Sequence, residues 1–381
     1  MKNINLLTNF NLIIGNGEFR KICITIKSLG FKRPIFLVDS GFSDSKLWKS
    51  LKIKIIKYFG NDVIFIFPNN SEPTYNLLSK YLNIIKKKKL DLIIGIGGGS
   101  CMDTTKAIAG LIKNYGSPLN YKGFDKLKKN PLPCILVPST IGTGSEVSHN
   151  ASFVDTKKKI KMGINGRNMF PYKSIIDAEV SVSCPKSVLT SSVVDSLVHT
   201  LEAYVSKKSN PYTDMLCEKA FNLIIDSIDE VYSSKINLNK RLNLLYASFI
   251  AGIAQMNAGS GPAACISYPL SVYYNVPHGI GGAIFIIDIV KFNLKKGIKK
   301  YLDLTNSNTK IKLKTKKEFI SFLENKFKKL GVPKNLKKFN IEKKDKVDLI
   351  NLMQVMKKGF KQNPVKFTIN QDFNKIIKNY F

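Results

Sequence analysis

The stretch Leu90-Asp-Leu-Ile-Ile-Gly-Ile-Gly97-Gly98-Gly99-Ser100, running on into Met102 to Ile112, decides the fold. An apolar, β-rich run is delivered into three glycines and then into a helical pattern. Glycine has no Cβ, so the backbone can turn tightly there and approach a pyrophosphate, whose charge meets the free N–H groups and positive end of the next helix. The same alternation surrounds this segment. Ile35 to Val38, Val63 to Phe67 and Cys134 to Val137 read as further strands separated by amphipathic stretches. This predicts an α/β dinucleotide-binding domain with a parallel sheet over residues 1–180. Beyond Pro185 the period changes to 3.6. Val188 to Val205, Asp214 to Tyr232 and Leu242 to Met256 read as helices, so residues 181–381 are expected to form an all-α domain. Lys310 to Lys317 reads as a surface loop running into a helix.

Two further segments belong at the ends of strands. Asp39 closes Leu37-Val38-Asp39, and an acid there can accept both ribose hydroxyls of an adenosine while repelling a 2′-phosphate, which favours NAD over NADP. The same residue also suits a helix cap ahead of Ser40-Gly41. Pro138-Ser-Thr140-Ile-Gly-Thr143-Gly-Ser-Glu146 supplies hydroxyls and bare backbone after another strand. Three such elements describe one nucleotide crevice, the usual place of ligands in open α/β sheets.

The second half carries a different chemistry. Asp195 and His199 stand at i and i+4, one above the other on a helix face, as two ligands of one divalent cation must. A capping or surface pair has the same spacing. Asn275-Val-Pro-His278-Gly279 puts another histidine in a turn. Only His149, His199 and His278 exist in the chain, and two of them fall in these segments.

Composition bounds the remainder. A chain of 381 residues suits two domains, each able to bury its own core. The formal net charge of +33 suggests a polyanion, but only four of the 60 basic residues are arginine and no nucleic-acid motif accompanies them. A chain-wide enrichment in lysine is the simpler reading, so no nucleic-acid partner is expected. No apolar run reaches the roughly 20 residues that cross a bilayer, and the opening residues lack the features of a signal peptide. A cytoplasmic protein without membrane contact is therefore expected. The six cysteines are scattered singly and read mostly as small buried hydrophobes.

Together these segments resemble the iron-containing (group III) alcohol dehydrogenases. The resemblance is carried by Gly97-Gly-Gly-Ser-Cys-Met-Asp103-Thr-Thr-Lys106, Pro138 to Glu146, Asp195-Ser-Leu-Val-His199-Thr-Leu-Glu-Ala-Tyr204 and Asn275 to Gly279, and it runs from Asn11 to Asn293. It implies a nucleotide domain and a helical domain with the active site between them, a homodimer, and reversible NAD-linked oxidation of a primary alcohol to an aldehyde. Gly97, Gly98, Gly99 and Ser100 are expected around the cofactor's phosphates, with Thr140, Thr143 and Lys161 about its nicotinamide half, and Asp103 is expected among the cofactor-binding residues. The family holds a divalent metal, Fe2+ or Zn2+, on one Asp and three His. Asp195, His199 and His278 match three of these, while the fourth falls on Ala264, which coordinates nothing and weakens the site. The outcomes open at this stage are a three-ligand site completed by water, recruitment of Cys265 as a thiolate, or loss of the metal. Tyr268 is the candidate proton relay.

Within the family, Asn120 to Asp125, Met162 to Asn165 and Ile266 to Ser271 are most similar to the branch that oxidises C8 of the acid sugar Kdo (3-deoxy-octulosonate). Arg167 and nearby lysines would then hold the substrate carboxylate. Two other readings compete. A dehydroquinate-synthase-like lyase shares the two-domain plan, the triple glycine and NAD, although Gly142-Thr-Gly-Ser-Glu146 favours the dehydrogenases. A non-catalytic NAD-binding protein would be marked by Ala264.

Overall fold

The computed structural model describes residues 4–61, 63–68, 72–308 and 310–381. The chain separates into two compact units. One joins Thr8–Pro185 with Ile236–Tyr246; the other joins Lys186–Lys235 and Ala247–Phe381 with the segment ending at Leu7. Two segments therefore lie in the other unit from the one that chain order assigns. A long-range hydrogen bond ties each to its unit. The Leu7 amide donates to Asn257 Oδ1 at 2.7 Å, and Arg241 donates to the Ser181 carbonyl.

Among the described residues the α/β unit has nine strands: β1 (Leu12–Ile14), β2 (Pro34–Val38), β3 (Ile64–Ile66), β4 (Leu92–Gly97), β5 (Gly123–Phe124), β6 (Cys134–Pro138), β7 (Asn150–Asp155), β8 (Ile160–Asn165) and β9 (Lys173–Ile176). Six of them form one sheet in the order β1-β9-β6-β4-β2-β3, and all its pairings are parallel. β2, β4 and β6 are buried along their whole length, which is why they read as unbroken apolar runs.

Alternate residues of these strands feed two cores. Ile35, Leu37 and Ile93 pack with Leu78, Ala107 and Ile108, whereas Phe36, Val38, Ile94 and Ile96 pack with Phe19, Trp48 and Leu51. The helices of this unit are α1 (Ile22–Ser28), α2 (Ser40–Ser43), α3 (Lys46–Phe59), α4 (Tyr75–Ile85) and α5 (Gly99–Leu111). A second sheet, β5-β8-β7, joins Asn120–Asp125 to Met162–Asn165. The sequence did not signal it, because β5 pairs only Gly123 with Ile164 and Phe124 with Asn165.

The helical unit contains α6 (Lys186–Val205), α7 (Pro211–Ser227), most of α8 (Leu238–Ala258), α9 (Pro262–Tyr274) and α10 (His278–Lys295). From Ser192 to Val205 every residue of α6 is buried. A helix apolar or shielded all round is a central one, and α6 packs against α7, α9 and α10. α7 starts on a reciprocal cap between Asn210 and Thr213, with Pro211 in the first turn. α9 ends at Asn275 in the left-handed conformation (φ 53°), and Pro277 caps α10. His278 is thus the first residue of α10 rather than part of a free turn. Among the described residues no helix is long and apolar enough to cross a membrane.

Candidate metal centre and nucleotide cradle

α6 presents Asp195 and His199 one turn apart, and α10 brings His278 to them at its first position. His199 Nε2 lies 3.5 Å from Asp195 Oδ1, and His278 Nε2 lies 4.0 Å from the same oxygen. One donor atom from each of the three residues falls within 4.8 Å of the others. Around a tetrahedral ion with bonds of about 2.1 Å, ligand atoms stand roughly 3.4 Å apart, so small rotations suffice for all three to bind one cation. His199 Nδ1 is buried with no hydrogen-bond partner. The donor set, two imidazoles and one carboxylate, is suited to a first-row divalent metal.

Gly279 makes the convergence possible. A Cβ at this position would lie 1.9 Å from the carbonyl oxygen of Ser191 and 2.8 Å from Asp195 Cβ. The start of α10 can therefore press against the backbone of α6 beside the aspartate only because this residue is glycine. Sequence reasoning quoted Gly279 without seeing this role, since the contact is tertiary.

The neighbouring donors are committed elsewhere. Ser267 Oγ donates to the Ala264 carbonyl at 2.6 Å and stands against the edge of the His278 ring, 2.9 Å from Nδ1 and 3.2 Å from Nε2. The Tyr268 ring meets the His278 ring edge-on, with centroids 4.9 Å apart. Cys265 is buried with its sulfur packed onto Gly359, where an added Cβ would come within 2.0 Å of Sγ. Burial also pushes the thiol pKa far up, which is the wrong direction for a thiolate ligand. The buried-hydrophobe reading of Cys265 is the one its surroundings support.

Glu202, on the same helix as Asp195 and His199, accepts backbone N–H groups from Gly261, Ala263 and Ala264. Burial pushes its carboxyl up to about 7 against the pull of those donors.

In the α/β unit, the glycine turn after β4 is crowded on the sides where side chains would project. A Cβ on Gly97 would lie 2.6 Å from Asp39 Cβ, one on Gly98 3.2 Å from Thr140 Cγ2, and one on Gly99 2.8 Å from Thr143 Cγ2. The three strand-end segments singled out from sequence therefore meet. α5 begins at Gly99 itself, with no side-chain cap. Thr140 Oγ1 is buried with no hydrogen-bond partner. Free N–H groups at a helix start and an orphaned hydroxyl fit a phosphate-bearing cofactor.

Asp39 is a helix cap whose second oxygen reaches the glycine turn. Oδ1 accepts from Gly41 N at 2.8 Å as a helix cap, and Oδ2 takes a long contact of 3.4 Å from Gly98 N, which places the carboxylate at the turn. Burial raises its pKa.

Two residues expected near the cofactor are engaged within the protein. Asp103 accepts from Ser145 Oγ at 2.6 Å and from Ser152 N at 2.9 Å. Lys161 is paired with Glu72 at 2.6 Å. Their charges brace the loop and the hairpin, because a partly buried charge is held by the nearest complementary group. Arg167 is likewise paired, with Asp125 at 3.3 Å. Sequence reasoning also passed over Lys106. Its ammonium is fully buried, lies 3.2 Å from Asp103, and donates to the carbonyls of Ser145, Ser148 and Asn150, fixing the segment that carries Thr140 and Thr143.

Comparison with known proteins agrees with this geometry. A family model described as iron-containing alcohol dehydrogenase matches residues 10–178, and one described as Fe-containing alcohol dehydrogenase family, C-terminal, matches residues 189–381. Alcohol dehydrogenase 4 of Schizosaccharomyces pombe is 32% identical over 288 residues, covering 75% of this chain and 68% of that one. The NAD-dependent methanol dehydrogenase of Bacillus methanolicus is 27% identical over 383 residues, covering 98% of this chain and all of the other. Among solved structures, an alcohol dehydrogenase from Oenococcus oeni superposes with a TM-score of 0.89 at 25% identity, covering 100% of both chains.

Proposed function

Because the chain belongs to the iron-containing alcohol dehydrogenase family, we propose that it catalyses NAD-linked interconversion of a primary alcohol and its aldehyde at a divalent cation held by Asp195, His199 and His278. The observation that carries this reading is the meeting of those three donors where α10 abuts α6.

A divalent ion in that position supplies a Lewis acid that lowers the pKa of a substrate hydroxyl, and NAD supplies the hydride acceptor. The protein's own part is positioning. Ser267 orients His278 through the contact of its hydroxyl with the ring nitrogens. The turn Gly97 to Ser100 offers backbone N–H groups to the pyrophosphate, Asp39 receives the adenosine ribose, and Thr140 and Thr143 serve the remainder of the cofactor. Asp103 and Lys161 act one step back, by bracing loop and hairpin. Tyr268, whose ring meets that of His278, is the proposed carrier of the hydroxyl proton.

The proposed substrate is an acid sugar of the Kdo type. Support comes from Asn120–Asp125 and Met162–Asn165, the two resembling segments of the α/β unit, which pair in one small sheet. A cytoplasmic homodimer is proposed with it, from the family plan.

Purified protein supplied with Fe2+ or Zn2+ is expected to bind a single ion per chain and to reduce NAD only when loaded. Asp195→Ala is expected to lose both properties. Full metal-dependent turnover in Asp195→Ala overturns the ligand assignment. Retained NAD affinity in a parent protein that takes up no metal favours the non-catalytic reading prompted by Ala264.

A further inference from the structure

We infer that Glu202 is a positioning residue for the metal centre, acting through α9 on His278. This rests on the reading of Asp195, His199 and His278 as ligands of one cation.

The first turn of a helix leaves backbone N–H groups without intrahelical partners, and they are normally met by a side chain close in sequence. At α9 no local side chain does this: its N-cap is Gly261, with no side-chain cap. Pro262 has no N–H to offer. The donors that remain, on Gly261, Ala263 and Ala264, all go to the carboxylate of Glu202, 59 to 62 residues earlier in the chain. The approach is close, since a Cβ on Gly261 would lie 2.6 Å from Glu202 Oε1. One buried carboxylate thus fixes the start of α9 to α6.

Glu202 follows His199 by three residues and Asp195 by seven, so all three lie on one stripe of α6. α9, held at its start, carries Ser267 and Tyr268, and both touch His278. Ser267 in turn is anchored on the carbonyl of Ala264, whose own N–H is bound by Glu202. A continuous path therefore runs from Glu202 through Ala264 and Ser267 to the His278 ring. α6 supplies two ligands directly and orients the third through this path. Position 264, which gives no side-chain donor, contributes both of its backbone polar groups instead. With both of its oxygens occupied by N–H donors, Glu202 is placed to act through α9 and not as a ligand.

The test compares Glu202→Gln with Asn210→Ala, which removes the cap of α7 and so destabilises the same unit without touching the path. Co2+ is the probe, because its visible absorption reports coordination independently of turnover. Glu202→Gln puts an amide NH2 among N–H donors. It is expected to weaken Co2+ binding by about tenfold to hundredfold, to change the cobalt band shape, and to lower kcat more than it alters KM for NAD. Asn210→Ala is expected to melt earlier with the cobalt spectrum and affinity of the parent. If Glu202→Gln does not fold, Gly261→Ala, which presses on the same carboxylate, is measured in its place.

A Glu202→Gln protein, or Gly261→Ala in its stead, that binds Co2+ with parental affinity and spectrum overturns the inference and leaves Glu202 a structural cap. A parent protein that binds no Co2+, or an Asp195→Ala variant that keeps the parental spectrum, overturns the metal reading and this inference together.

Discussion

Gly279→Ala is the most demanding perturbation of the proposed centre, because it adds a single methyl group and leaves every ligand in the sequence. The new Cβ would stand 1.9 Å from the Ser191 carbonyl oxygen. Carbon and oxygen rest at about 3.3 Å or more, so the two helices must separate by roughly 1.4 Å at this point. The obstructing atom is backbone within α6 and cannot rotate aside. Metal–ligand distances tolerate only about 0.2 Å, and a displacement near 1 Å is worth about a hundredfold where geometry matters. Overpacking of this kind costs about 1–3 kcal/mol, less than the stability of an ordinary domain, so the variant is expected to remain folded. Co2+ titration followed by visible absorption, with circular dichroism as the check on folding, is the assay. The expected result is a folded protein whose Kd for Co2+ has risen at least about a hundredfold. A Kd within about threefold of the parent's would refute the claim that the contact between α10 and α6 sets the site.

Three further outcomes are expected. Lys106→Met keeps the buried stem but strips the ammonium from the Ser145, Ser148 and Asn150 carbonyls, and should lower urea resistance of the α/β unit by about 3–5 kcal/mol; a loss below about 1 kcal/mol contradicts the bracing role. Gly99→Ala, whose Cβ would meet Thr143 Cγ2 at 2.8 Å, should weaken NAD binding at least about tenfold by calorimetry, and unchanged affinity removes the turn from the cofactor site. His149 is packed between Phe124 and Phe170, and burial, aided by the charge of Lys106, depresses its pKa from 6.5 to about 4. The unfolded chain then binds the extra proton between these values, so stability is complete above pH 6.5 and is lost as pH falls toward 4. Between pH 7 and pH 5 His149→Gln should remove about 2 kcal/mol of that acid-side loss in denaturant unfolding, and parallel pH profiles for parent and variant would count against it.

What the sequence disclosed follows from where each signal resides. β4, the glycine turn and α5 announce themselves because strand, turn and helix signals are local and contiguous. α6 is readable for its apolar length, and Asp195 with His199 for helical spacing. The short strands β1, β5 and β9 have two to four residues each and exist only through distant partners, such as Leu12 beside Ser174. Cys265 could be assigned only once Gly359 was seen against its sulfur. Asp103 and Lys161 were expected to face a ligand on the strength of motif position, yet Ser145, Ser152 and Glu72 take their charges first. Spacing names the side chains able to do chemistry; it does not say which of them the fold has already satisfied.

Asp39 sets a condition on any attempt to redirect this protein to a phosphorylated cofactor. Its carboxylate holds the first turn of α2 while presenting charge beside Gly98. On the proposed ribose role of Asp39, replacement by alanine or leucine would relieve the repulsion of a 2′-phosphate and, in the same stroke, unfasten the start of α2. Serine or asparagine keeps an oxygen for the Gly41 amide without the charge, so an engineer seeking altered nucleotide preference should begin there.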